Sequence, residues 1–274
     1  MGKLLKDCYP LMINSVSEVN EVVAIGKSGG SQLPENGDGD IDIYVFCSSI
    51  PEIKSRQEAI DRLGTVISNA NYSERGSKFW GTIDFLIVDD TDICLMYFTT
   101  MNMDQEIESV LNGTRLDREA DYFYPTGRCA TFLSMHILYD KNGYIANIKE
   151  KLNPYPQDLA EKLYNHHIRK VKGNYGGEDF ERAVSRGDIL FYHSALEFAI
   201  DHFLQALFAL NKCFLPSRKR MIEFINGFDI KPLNCTDRLI LTIELGAKSE
   251  TLSDSYAVWS SLYKELFDLG NHSE

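Results

Sequence analysis

GKSGGSQLPENGDGDIDIYVF, residues 26–46, decides how the rest of the chain is read. Its final stretch alternates, with Ile41, Ile43 and Val45 set against Asp40, Asp42 and Tyr44. Strict alternation of apolar and polar residues marks a strand with one buried face. Residues i and i+2 of a strand project to the same side, so Asp40 and Asp42 share a face, with Cα atoms about 6–7 Å apart. Two carboxylates on one face, with no sequence-adjacent cation, raise each other's pKa. A hard divalent cation such as Mg2+ removes that conflict, because it takes carboxylate and phosphate oxygens together.

Ahead of this strand lies a glycine turn. EVVAIGK at 21–27 reads as a strand, and Ser28-Gly29-Gly30-Ser31 comes directly after it. Glycine permits backbone geometry and close approach that other residues do not. Exposed backbone N–H groups in such a turn, with the Ser31 hydroxyl, suit the β- and γ-phosphates of a nucleotide. GKS at 26–28 is not a P-loop, because that motif needs a glycine where Glu21 stands. A further acid lies in WGTIDFLIV at 80–88, where Asp84 sits among Ile83, Phe85 and Ile87. If that strand pairs beside DIDIYVF, Asp84 completes an acidic triad. Metal ions held by such acids align an attacking hydroxyl with a phosphorus centre and neutralise a departing diphosphate.

The ordered set Gly30-Ser31, then Asp40-Ile41-Asp42, then Asp84 on a later strand resembles the signature of the DNA-polymerase-β-like nucleotidyltransferase superfamily. Its aminoglycoside and lincosamide nucleotidyltransferases share the plan of a catalytic α/β domain followed by a helical one. The motifs cover roughly residues 22–88, and segments such as 136–156 and 203–220 look similar to the helical regions of bacterial members. The resemblance implies an α+β protein: a nucleotidyltransferase-type domain with a short mixed sheet over residues 1–120, and an all-helical acceptor-binding domain over 121–274. It implies that Gly30 and Ser31 bind nucleotide phosphate and that Asp40 and Asp42 bind Mg2+. Asp84 would be a third ligand or the general base. The loop between Ser31 and Asp40 lacks the arginine often found there, so Lys27, Arg218 or Lys219 would have to substitute, with Lys219 the preferred choice.

The expected reaction moves a nucleoside monophosphate from an NTP, with ATP the expected co-substrate, to a hydroxyl of a small molecule. Pyrophosphate leaves, and an aminoglycoside- or lincosamide-like acceptor is among the candidates. Two other readings stand beside it: a protein- or RNA-modifying enzyme of antitoxin type, and a non-catalytic NTP-binding regulatory module. The expected partners are nucleotide and acceptor; a homodimer is compatible with them.

Composition narrows the classes. A net charge of −12 opposes general binding to nucleic acid, which rests on Lys and Arg. The six cysteines have no C-x-x-C spacing and read as reduced residues of a cytoplasmic protein. The first residues, MGKLLKDCYPLMINSV, have no long apolar stretch or cleavage site of a secretory signal, and Lys6 stands where myristoylation needs Ser or Thr. The longest apolar stretch, 189–215, is broken by Glu197, Asp201 and His202 and reads as a core helix, so no membrane span is expected.

The remaining expectations are local. GRCATFLSMHILYD at 127–140 reads as one helix and 181–211 as another. PEIKSRQEAIDRLGTVISNA at 51–70 reads as a helix, and DDTD at 89–92 as a turn. His193, Glu197 and Asp201 fall on one helix face, either a surface stripe or a face that handles acceptor or proton. Asn165-His166-His167 reads as helix surface.

Overall fold

The computed structural model describes residues 3–29, 32–33, 39–119, 123–173 and 177–271. It is an α+β protein of two compact units. One comprises residues 1–109 and 128–154; the other comprises 110–127 and 155–274. The single division expected after residue 120 is therefore replaced by an interleaved one. Residues 128–154 return to the first unit because they supply its last strand and two covering helices.

The first unit starts with α1 (Lys3–Ser17), β1 (Val22–Lys27) and β2 (Asp40–Cys47). Helix α2 (Ile53–Asp61) leads to β3 (Ile67–Tyr72), β4 (Thr82–Val88) and β5 (Thr91–Thr99). After α3 (Thr100–Leu111), the chain returns with α4 (Gly127–Ser134), β6 (His136–Asp140) and α5 (Tyr144–Leu152). The six strands form one mixed sheet in the order β3-β4-β5-β2-β1-β6. β2 and β5 run parallel, and every other neighbouring pair is antiparallel.

Alternation along the strands builds the core. Ile41, Ile43 and Val45 of β2, Ile93, Leu95 and Tyr97 of β5, and Leu86 and Val88 of β4 share one buried face. Leu5, Met12 and Val16 of α1 and Ile60 of α2 close over it. On the opposite face, helices α4 and α5 of the same unit cover one end. Tyr44 and Phe46 of β2 are buried there, Tyr44 stacks on Phe98, and Phe46 packs on Phe132 and Tyr144.

Two segments expected to be continuous helix are broken. In 127–140, α4 stops at Ser134 and His136–Asp140 pairs antiparallel with β1, completing an edge that the helix would have left open. Gly26 of β1 makes that approach possible: a Cβ there would run into the Met135 side chain. In 51–70, α2 ends at Asp61, a short 3-10 turn comes next, and the rest becomes the edge strand β3.

The second unit holds α6 (Gln157–Ile168), α7 (Glu178–Arg186), α8 (Ile189–Leu210), α9 (Met221–Gly227), α10 (Cys235–Leu245) and α11 (Leu252–Asn271). The helix expected over 181–211 divides at Gly187, whose φ of 62° ends α7. Asp188 then caps α8, its side chain accepting a 3.0 Å hydrogen bond from the Phe191 N–H. α8 is the central helix: Leu196, Ala199, Phe203 and Leu207 pack in one cluster with Trp259, Leu262 and Leu266 of α11. Among the described residues no helix is long and apolar enough to cross a membrane, and all six cysteines are unpaired thiols.

Candidate functional site

Parallel pairing of β2 and β5 sets the geometry of the site. Asp40 lies opposite Asp92, and Asp42 lies opposite Cys94. In each strand the residues between them point into the core: Ile41 and Ile43 in β2, Ile93 in β5. Asp40, Asp42, Asp92 and Cys94 therefore share the other face. Burial rises along that face in both strands, from exposed Asp40 through half-buried Asp42 to buried Tyr44, and from exposed Asp92 through half-buried Cys94 to buried Met96. The acids occupy the more exposed end of that face, and the aromatic cluster of Tyr44, Phe46 and Phe98 the buried one.

The electrostatics agree with the register. Burial pushes the Cys94 thiol up to about 12, and the charges of Asp42, Asp40 and Asp92 add to the shift. One side chain thus feels all three carboxylates. Lys27 at the end of β1 lies opposite the core-facing Ile43 and is buried; burial lowers its pKa and the charge of Asp42 works against that. The Lys27 ammonium donates to the Ser28 carbonyl at 3.1 Å, and the Ser28 N–H donates to the Asp42 carbonyl at 3.0 Å. These bonds tie the start of the glycine turn to the acidic strand. Gly29 has a φ of 73°, with open space where a Cβ would stand. Gly30 and Ser31, the expected phosphate binders, lie outside the described residues.

Asp84 is not part of this cluster. It shares the core face with Leu86 and lies opposite Leu95, so it points through the sheet to the side away from Asp40 and Asp42. It is fully buried and ion-paired with Arg56 of α2. Arg56 is held in turn: it donates to the Pro51 carbonyl at 3.2 Å and to the Ser73 carbonyl at 2.9 Å, and its guanidinium lies 5.3 Å from the centre of the Tyr97 ring. Burial raises the Asp84 pKa to about 6, with Arg56 opposing the rise. A carboxylate sealed by an arginine beneath the sheet is built as a structural pair.

The acid that sequence reasoning misses is Asp92. DDTD reads as a turn, but the turn is only Asp89-Asp90, both with positive φ (53° and 59°), and Val88 pairs directly with Thr91. Two central residues of positive φ make a tight hairpin turn. That releases Asp92 into β5, where it alternates with Thr91 and Ile93 as Asp40 does with Ile41.

Lys219 lies in the second unit, exposed in the turn before α9, where its N–H donates to the Ser217 hydroxyl at 3.2 Å. Arg218 is engaged within that unit. Its Nε donates to the Tyr124 hydroxyl at 2.8 Å, and its Nη2 pairs with Asp201 at 2.8 Å and with Glu197. Arg118 stands 3.5 Å from Glu197 and 3.6 Å from Asp201, and Tyr124 donates to Asp201 at 2.5 Å. Glu197 and Asp201 of the expected helix face are thus balanced by two arginines in a partly buried network. His167 departs from the surface reading, since it is fully buried and its Nδ1 lies 2.8 Å from His202 Nδ1, whereas Asn165 is exposed and His166 half-buried.

A family model for a domain of unknown function, DUF4037, matches residues 124–221, a span that contains Tyr124, Glu197, Asp201 and Arg218. No curated protein matches the chain. Among solved structures, the chain resembles a nucleotidyltransferase-like protein from Exiguobacterium sibiricum 255-15, with 11% sequence identity, 98% of this chain and 77% of that chain covered, and a TM-score of 0.50. At that identity the likeness is one of fold: the chain has a nucleotidyltransferase-like fold.

Proposed function

We propose that the protein is a nucleotidyltransferase that passes a nucleoside monophosphate from an NTP to a hydroxyl group, releasing pyrophosphate. The observation that carries this reading is the set Asp40, Asp42 and Asp92, brought side by side at the more exposed end of two parallel strands and next to a glycine turn. An all-oxygen set of carboxylates fits Mg2+, which prefers hard ligands and shares its coordination with substrate phosphates. When bound, the ion would draw charge from the phosphates as the diphosphate departs. Asp40, Asp42 and Asp92 are its proposed ligands, with Asp92 in the role that the motif alone suggests for Asp84. Gly30 and Ser31 remain the proposed phosphate contacts on sequence grounds, and Lys27, which interacts electrostatically with Asp42, is the proposed cation of the first unit. ATP is the first donor to test. Aminoglycosides and lincosamides are the first acceptors, chosen because a strongly acidic protein suits a cationic small molecule.

The test is pyrophosphate release from Mg2+-ATP across a panel of these acceptors. Asp42→Asn should lower turnover on the order of 10²-fold or more, the scale of losing one preorganised electrostatic group. Turnover unchanged in Asp42→Asn removes that residue from the mechanism, and tight ATP binding with no product from any acceptor favours a regulatory module instead.

A further inference from the structure

We infer that Asp117, His166 and His167, on the loop after α3 and on α6, form a binding site for a divalent transition-metal ion of the zinc type. All three belong to the second unit, so the site is separate from the acidic cluster of β2 and β5 and does not depend on nucleotidyl transfer. One ligand atom from each residue lies within 4.8 Å of the others. The set mixes two imidazoles with a carboxylate. That donor set suits zinc, cobalt or nickel, whereas magnesium and calcium take oxygen ligands.

The surrounding bonds show how each donor is positioned. Asp117 Oδ1 lies 2.8 Å from His166 Nε2 and 2.7 Å from the Lys170 ammonium, which itself stands 2.9 Å from His166 Nε2. A cation therefore already bridges the aspartate and the imidazole. Two ligands of one tetrahedral zinc ion stand about 3.3 Å apart for bonds near 2.0 Å, so a small opening of this pair admits the ion. Lys170 is half-buried on a flexible stem and can swing to solvent when the ion enters.

His167 supplies the buried side of the site. Its Nε2 lies 3.1 Å from the Leu116 carbonyl, which can only accept, so that nitrogen carries the proton. A neutral ring then accepts at Nδ1, and His202 Nδ1 is the donor. On loading, the ion replaces the proton between His167 Nε2 and the Leu116 oxygen. The His167 proton is then carried on Nδ1 and donated to His202 Nδ1, and His202 carries its own proton on Nε2. Both rings stay neutral and the count of protons is unchanged. A second histidine behind a ligating one is the outer support that fixes tautomer and ring orientation in metal sites.

Zn2+ titration of the full chain against a chromophoric chelator tests the site, with Co2+ absorption in the visible as the signature of coordination. One equivalent should bind. His166→Gln, at a half-buried position, should weaken binding by about tenfold or more. Lys170→Met should tighten it, because the competing ammonium is gone; misfolding cannot imitate a gain. Asp42→Asn should leave Zn2+ binding unchanged, which separates this site from the proposed Mg2+ site. Zn2+ affinity that is equal in wild type, His166→Gln and Lys170→Met, or absent from all three, overturns the inference.

Discussion

Asp84 and Asp92 lie eight residues apart on the two strands of one hairpin, yet they face opposite sides of the sheet. The difference is one of parity. Asp84 stands opposite Leu95 and takes its core-facing side, whereas Asp92 stands opposite Ile87 and faces away from the core. That contrast separates the effects of substituting them. Asp92→Asn should impair pyrophosphate release while leaving the thermal midpoint close to wild type. Arg56→Met should leave the Asp84 charge buried and unpaired, costing about 3–5 kcal/mol of stability in urea unfolding. Replacing both partners by apolar residues should recover most of that loss, since a buried pair gains little over good apolar packing. If Asp92→Asn left turnover intact, the third carboxylate would have no part in the chemistry.

At the scale of elements, β6 is the clearest case of context overriding local pattern. Met135 and HILYD continue an apolar run that reads as helix, but the open edge of β1 offers backbone partners that a helix would waste. Gly26 admits the Met135 side chain against β1, so Gly26→Ala should destabilise the first unit by about 1–3 kcal/mol through overpacking. Met135→Ala in the same background should restore part of the loss, measured as a shift in urea midpoint. An unaltered midpoint in Gly26→Ala would mean the contact relaxes freely. The split of α7 from α8 has a plainer origin. Glycine at 187 takes the left-handed conformation and Asp188 caps α8, a signal present in RGD at 186–188 but outweighed by the long apolar run after it.

For the whole molecule, the interleaving of the chain makes a sharp prediction. A fragment of residues 1–120 lacks β6, α4 and α5, so the aromatic face of Tyr44, Phe46 and Phe98 loses Phe132 and Tyr144. It should show no cooperative thermal transition by circular dichroism, whereas the full chain should. The second unit carries its own pH signature. Burial, then the neighbouring His202, lowers the His167 pKa to about 3; burial, then Lys170, lowers that of His202 to about 4. Both folded values lie below the unfolded value of about 6.5, so the unfolded chain binds more protons in between. Stability from this pair is therefore complete above about pH 6.5 and is lost as pH falls toward 4 and 3. Asp117, His166 and Lys170 act on both rings, and Asp201 acts on His202, so all four contribute to the titration. Thermal midpoints measured from pH 7.5 to 4 should fall across that window, and replacing both histidines by leucine should flatten the fall.

Residue pattern is enough to place Asp40 and Asp42 on one strand, to bury the isoleucines between them, and to read the apolar stretch at 189–215 as a core helix. Each of these depends on a period of two or of nearly four residues, a property of the local backbone. Folding in three dimensions settles which third acid joins the pair, where the chain crosses between units, and that His167 is buried behind Asp117. Those outcomes depend on register, on the length of one two-residue turn, and on which edge is left unpaired, and such long-range pairings leave no periodic trace in the chain.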